Sequence, residues 1–336
     1  MAEEEKLTPM MVQYRQIKEQ NPDSVLFFRL GDFYEMFEAD AIEVSRILNL
    51  TLTKRNNQKM CGIPYHAAKT YIKRLLDAGK KIAICEQTEL PEGGKQLAQR
   101  EVVQVVTPAT VVEDDFLQSD RDNYILCVSF QKQGLSISYA DITSGTFLLR
   151  FVDKDDRFMH LLSVLEQVGP REILVNEDDY FLYQDFQTLI DSYPSMVTKL
   201  PPWRFRIKDA YAAMCDQVGS ASLKAFDLEE NDVRLSSAGA LLYYLQETAK
   251  TSLKQIEAYK IINEDTLLRI DEASRKSLEL LVNLHDGSEK YSLFSSIDAN
   301  VTSMGKRKLK NWITNALTDV DQILKRQQWV TLLYED

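Results

Sequence analysis

Residues Leu26 to Phe37 read LFFRLGDFYEMF: an apolar run meets Gly31-Asp32, and Phe33, Tyr34 and Glu35 follow. The run has the length and composition of a buried strand, and Gly-Asp is a turn signal. If the next three residues are also extended, Phe33 and Glu35 point to one face and Tyr34 to the other, because side chains alternate along a strand. An aromatic ring and a carboxylate are then presented as a pair. The plainer alternatives are an aromatic that joins the core and a glutamate that is a solvated charge.

Outward from this segment, strand-like runs (Ser24 to Leu30, Lys81 to Gln87, Glu101 to Val106) alternate with helical patterns (Leu7 to Gln20, Glu38 to Leu48, Ala67 to Ala78). Gly79 stands where a helix-ending glycine belongs. Residues 1–117 therefore read as a mixed α/β domain. A polar seam, QSDRDN at Gln118 to Asn123, leads to three strand candidates, Tyr124 to Phe130, Leu135 to Asp141 and Gly145 to Phe151, separated by Gln133-Gly134 and Thr143-Ser144-Gly145. Short-looped consecutive strands predict an antiparallel meander. A helix over Met159 to Val168, a strand over Glu172 to Val175 and an apolar helix over Ala238 to Gln246 complete a second α/β domain, 123–248. In residues 251–336, Leu267, Leu268, Ile270, Leu278, Leu280, Leu281 and Leu284 follow helical spacing, and the last pattern, Val320 to Tyr334, is amphipathic. This third region reads as helical, and with no cap before Asp336 the sequence reads as the leading part of something longer.

The chain has 336 residues, 44% hydrophobic and 27% charged, enough for two or three cores and too apolar for disorder. Its longest apolar stretch, Ala238 to Leu245, falls well short of the about 20 residues a bilayer span needs. The start MAEEEKLTP lacks the basic and apolar parts of a secretory signal, so a cytoplasmic protein is expected. Cys61, Cys85, Cys127 and Cys215 lie at least 24 residues apart, which favours small buried hydrophobes over disulfides or zinc. Forty basic against 51 acidic residues give a net charge of −11, unlike a protein that coats nucleic acid unselectively. One stretch reverses the trend: Lys54 to Lys81 holds eight Lys or Arg and the single acid Asp77. A solvated face is the plain reading of such a run.

Catalytic signals are poor. Gly93-Gly94-Lys95 and Gly305-Lys306-Arg307 lack the earlier glycine and the following Ser or Thr of a phosphate-binding loop. His66, His160 and His285 have no Cys or Ser at a nucleophilic spacing, so His66 is expected to cap or pack.

The segment GDFYEMF resembles the mismatch-reading motif of the MutS family of bacterial DNA mismatch-repair proteins, with Phe33, Tyr34 and Glu35 matching its Phe-x-Glu. Further similarity lies in LTPMMVQY (Leu7 to Tyr14), LTKRN (Leu52 to Asn56), CGIPYHA (Cys61 to Ala67), AICEQ (Ala83 to Gln87) and REVVQVVTP (Arg100 to Pro108). YADITSGTF at Tyr139 to Phe147 is similar to the start of the family's connector domain, and EASRKSLEL at Glu272 to Leu280 to the entry into its core domain. One departure is Ala109, where glycine is expected after Thr-Pro.

The resemblance implies a mismatch-binding domain, a connector like ribonuclease H in strand order, and the beginning of a helical core (lever) domain. It implies mismatched duplex DNA as ligand, with Phe33 entering the minor groove to stack on a mispaired base and Glu35 hydrogen-bonding that base. Wedging costs less where pairing is already defective, and a carboxylate is repelled by intact duplex, where nothing offsets it. Lys54 and Arg55 become candidates for phosphate contacts, whereas Lys73, Arg74, Lys80, Lys81 and the cluster Lys306, Arg307, Lys308 and Lys310 keep the solvated reading. The family's ATPase, with ATP and Mg, and its homodimer contacts belong to a C-terminal portion outside these residues. No cofactor, metal or catalytic residue is expected here, and a MutL-like repair protein is an implied partner. Two competitors remain: a metal-dependent nuclease of ribonuclease H type, with Asp141 as first ligand, and a pure protein-interaction module.

Overall fold

The computed structural model describes residues 8–55, 57–88, 98–110, 123–155, 157–249, 253–262, 267–268, 270 and 272–335. Leu117, most of the polar seam (118–122) and Gly93-Gly94-Lys95 lie outside them. The chain forms two units, Met1–Val111 with Tyr244–Leu253, and Val112–Tyr243 with Lys254–Asp336.

In the first unit α1 (Pro9–Gln20), β1 (Ser24–Leu30), β2 (Phe33–Phe37), α2 (Glu38–Leu48), β3 (Thr53–Arg55), β4 (Gln58–Pro64), α3 (Ala68–Asp77), β5 (Lys81–Gln87) and β6 (Arg100–Val106) follow in chain order. The sheet runs β3-β4-β2-β1-β5-β6, with β1 and β5 parallel and the other pairs antiparallel. Strand alternation sorts its side chains. Leu26, Phe28, Phe37, Ala83 and Cys85 meet Met11, Tyr14 and Ile17 of α1 on one face. Phe27, Tyr34, Met36, Ile63 and Ile82 are buried on the other face, which α2 and α3 cover. Buried Asp40 ties α1, α2 and β1 together: Lys18 Nζ stands 2.8 Å from its Oδ1 and the Leu26 amide donates to Oδ2 at 3.0 Å, so the charge is paired and hydrogen-bonded, as burial requires.

The second unit holds β7 (Ile125–Gln131), β8 (Gly134–Asp141), β9 (Thr146–Asp153), α4 (Arg157–Val168), β10 (Glu172–Asn176), α5 (Glu177–Leu182), α6 (Gln184–Ser192), β11 (Met196–Leu200) and α7 (Ile207–Val218). Then come α8 (Leu235–Ala249, whose last residues count with the first unit), β12 (Lys260–Ile261), α9 (Glu272–Ser277), α10 (Leu293–Ile297), α11 (Ser303–Thr314) and α12 (Val320–Glu335). The expected meander is β7-β8-β9; β10 and β11 add parallel strands beyond β7, which makes the sheet β11-β10-β7-β8-β9-β12. This is the ribonuclease H-like order expected of the connector, extended by β12 parallel to β9. Small side chains let α8 lie close on the sheet, with Ser237 Oγ 2.7 Å from both Ser136 Oγ and Ser138 Oγ.

The leucine spacing at 278–284 misleads. Helix α9 ends at Ser277, and Glu279 takes a left-handed φ of 45°. The following backbone is held instead by Asn283, whose side chain accepts from the His285 and Asp286 amides and donates to the Ser288 and Lys290 carbonyls. A polar side chain that satisfies the backbone locally outcompetes the helix.

Candidate nucleic-acid interface

Leu30 pairs with Phe33 across the two-residue turn Gly31-Asp32. Gly31 has φ 58°, and glycine at the first central position marks the type II′ turn whose twist suits a hairpin. Phe33 follows at once and is 47% exposed, whereas Tyr34 is 7% and Met36 0% exposed. The expected alternation therefore holds: Phe33 and Glu35 share one face and Tyr34 the other.

On β4, Pro64 stands opposite Phe33 and Gly62 opposite Glu35. On β3, Arg55 pairs with Gln58, which alternation puts on that same face. Its Nη1 donates to Glu35 Oε2 at 2.7 Å, and the Glu35 side chain is 14% exposed against 46% for Arg55. The glutamate is thus neither a bare solvated charge nor an unpaired one. Lys54, one residue away, projects from the opposite face, across from Lys59. Of the two proposed backbone contacts, the structure brings Arg55 to the Phe33 face and leaves Lys54 exposed at the sheet's far side.

Behind the hairpin, Arg29 acts as a clamp. Its Nε donates to the Gly31 carbonyl at 2.6 Å, and its guanidinium lies 3.7 Å from the Tyr65 ring centroid and 5.6 Å from that of Tyr34. The Tyr65 amide donates to the Asp32 carbonyl at 3.0 Å. The Tyr34 hydroxyl donates to the Glu86 carboxylate, and burial together with that carboxylate pushes the phenol up to about 12. Sequence reasoning missed Arg29, Tyr65, Glu86 and the role of Arg55 as a partner for Glu35. The family-like motifs CGIPYHA, AICEQ and LTKRN contain Tyr65, Glu86 and Arg55, but none of them signalled these contacts.

The remaining candidates have local roles. His66 packs edge-on against Tyr65. Arg74 donates to the Ile47 carbonyl at 3.2 Å and Lys80 pairs with Glu43. Lys306 pairs with Asp298 and Lys310 with Glu289, so part of that cluster is neutralised rather than a free basic face. Gly305 lies in the first turn of α11, where its amide is capped by Thr302. All four cysteines are buried and free, and burial pushes the Cys61 thiol up to about 11 and that of Cys85 up to about 12. Ala109 causes no strain: it has no left-handed φ, and Thr107 and Thr110 close the turn, each amide bonding the other's hydroxyl. Asp141 is 1% exposed, and its carboxylate accepts from the Asn123 and Thr143 amides and the Thr143 hydroxyl. Among the described residues no three His, Cys, Asp or Glu converge to hold a metal ion.

Two α/β units followed by helices make this a modular protein, and known proteins identify the modules. Family models match in order: MutS domain I over residues 8–115, domain II over 123–257 and domain III over 273–336. The DNA mismatch repair protein MutS of Treponema denticola is 43% identical over 340 residues, covering 98% of this chain and 38% of that protein. Those of Treponema pallidum and Borrelia turicatae are 37% and 38% identical, each over 97% of this chain and 36% and 37% of their own lengths. The chain belongs to the MutS family, with matches to its domains I, II and III. It covers little more than a third of the length of these relatives.

Proposed function

We propose that the chain recognises mismatched or unpaired bases in duplex DNA as the first step of mismatch repair. Phe33 wedges into a weakened stack from the minor groove, and Glu35 hydrogen-bonds the displaced base. The observation that carries this reading is the exposure of Phe33 on the sheet face it shares with Glu35. An aromatic that the core could have covered is left in water at the tip of a hairpin braced from behind.

The Arg55–Glu35 pair supports the reading electrostatically. A lone carboxylate approaching phosphates is repelled, but one beside a guanidinium is offset. When Arg55 turns toward a phosphate, Glu35 must find another donor. A displaced base offers one, whereas a sound A·T pair presents only acceptors in the minor groove and a sound G·C pair only the single guanine amino hydrogen, so most of the cost falls on intact duplex. The test is retention of a G·T-containing duplex against its perfect match by the complete protein, with and without Phe33→Ala. Loss of preference in the variant supports the wedge, and unchanged preference removes it.

The compartment is the cytoplasm, where bacterial DNA lies; no helix among the described residues is long and apolar enough to cross a membrane. A MutL-like partner, a homodimer, and ATP with Mg bound outside this stretch complete the proposal, and none of the residues described above is assigned to nucleotide.

A further inference from the structure

Gly62 sits opposite Glu35 and two residues from the partner of Phe33, on the same sheet face. Some glycines here are demanded by the fold. A side chain at Gly134 would collide with the Val152 carbonyl oxygen and one at Gly239 with Ala210 Cβ, while Gly31 has a left-handed φ. Gly62 is of neither kind. Its φ lies outside the left-handed region, and a Cβ there would meet the Tyr34 carbonyl oxygen at 3.4 Å, Glu35 Cγ at 3.6 Å and Phe33 Cδ1 at 4.0 Å, all ordinary contacts. It occupies the interior of β4, where glycine is less stabilising than alanine. The fold has room for a Cβ at this position, and the strand would gain from one. Glycine in a strand interior often marks a bulge, a tight bend or the close approach of a ligand or another backbone, and β4 has neither bulge nor tight bend at Gly62.

We propose that Gly62 is a specificity-determining residue: its bare backbone is the floor of a slot walled by the Phe33 ring and the Glu35 carboxylate, into which the edge of a displaced heterocyclic base descends. This rests on the reading of Phe33 and Glu35 given above. A methyl at position 62 raises the floor between ring and carboxylate, and a β-branched side chain fills the slot. The strand itself gains, because β-branched residues pack well on a pleated surface. Fold and recognition therefore pull in opposite directions at this one position.

The test compares wild type, Gly62→Ala, Gly62→Val and Phe33→Ala. Thermal melting is measured on this chain, and binding of a G·T-containing and a perfectly paired duplex on the complete protein. Both Gly62 variants are expected to melt at or above wild type. Mismatch preference should fall by about tenfold for Gly62→Val, equivalent to about 1.4 kcal/mol, with a smaller loss for Gly62→Ala. A lower melting temperature in both variants overturns the proposal by showing that the fold needs the glycine. Full preference in Gly62→Val overturns it while Phe33→Ala still abolishes preference; if Phe33→Ala also retains preference, the reading of the whole site fails with it.

Discussion

Phe33 is half exposed in a strand whose other apolar members, Tyr34, Met36 and Phe37, are buried, so its removal should cost the fold little and the function much. Phe33→Ala is expected to change unfolding free energy by less than about 0.5 kcal/mol, as surface substitutions do, while preference for mismatched duplex collapses to near unity. Urea unfolding and duplex binding measure the two effects. Glu35 differs because it has a partner. Glu35→Ala frees Arg55 for phosphates, so affinity for perfect duplex should rise while preference for a mismatch falls by about tenfold, the loss of a charge-assisted hydrogen bond. An equal drop for both duplexes would contradict the role given to the carboxylate. The alternation of Phe33, Tyr34 and Glu35 was legible in LFFRLGDFYEMF because period two is a local property. The Arg55–Glu35 contact was not, since it depends on β3 and β2 both pairing with β4.

At the scale of elements, the site depends on the β1–β2 hairpin and its support. Gly31→Ala places a side chain at φ 58°, with nothing within 4 Å to clash, so its effect is conformational strain alone. A loss of about 1 kcal/mol is expected, seen as a lower urea midpoint. Alkali should weaken the same unit. Cys61, Cys85 and Tyr34 titrate in the folded state at about 11, 12 and 12, above ordinary values of 9.0, 9.0 and 10.0. The unfolded chain therefore loses these protons first as pH rises. Stability from this source is whole below about pH 9 and drains between about pH 9 and 12, so urea midpoints should be flat up to about pH 9 and fall beyond it. Strands such as Ser24–Leu30 and Lys81–Gln87 were legible to the residue because apolar runs ended at turn signals. The leucines at 278–284 were misread because Asn283 competes for the backbone, and periodicity does not register a side-chain cap.

For the whole molecule, a net charge of −11 and a basic stretch are reconciled by how the cations are used. Arg55 and Lys80 are paired with Glu35 and Glu43, and Arg74 is held on the Ile47 carbonyl, so the run from Lys54 to Lys81 is less positive to DNA than its composition implies. Arg55, on the Phe33 face, should carry the larger share: Arg55→Ala lowers the salt slope of duplex binding by up to about one, the weight of a phosphate contact. Lys54→Ala should lower it by less, because Lys54 projects from the opposite face of the sheet. A salt titration in which Lys54→Ala lowers the slope more than Arg55→Ala would contradict this division. The order of the modules was legible because motifs such as YADITSGTF and EASRKSLEL mark their beginnings, whereas β12 was not, being a two-residue edge strand. The most direct measurement is the ratio of affinities for a G·T-containing duplex and its perfect match, in the complete protein and in its Phe33→Ala variant. A ratio well above one that falls to near one in the variant is the predicted result, and a ratio that survives loss of the ring would contradict the account.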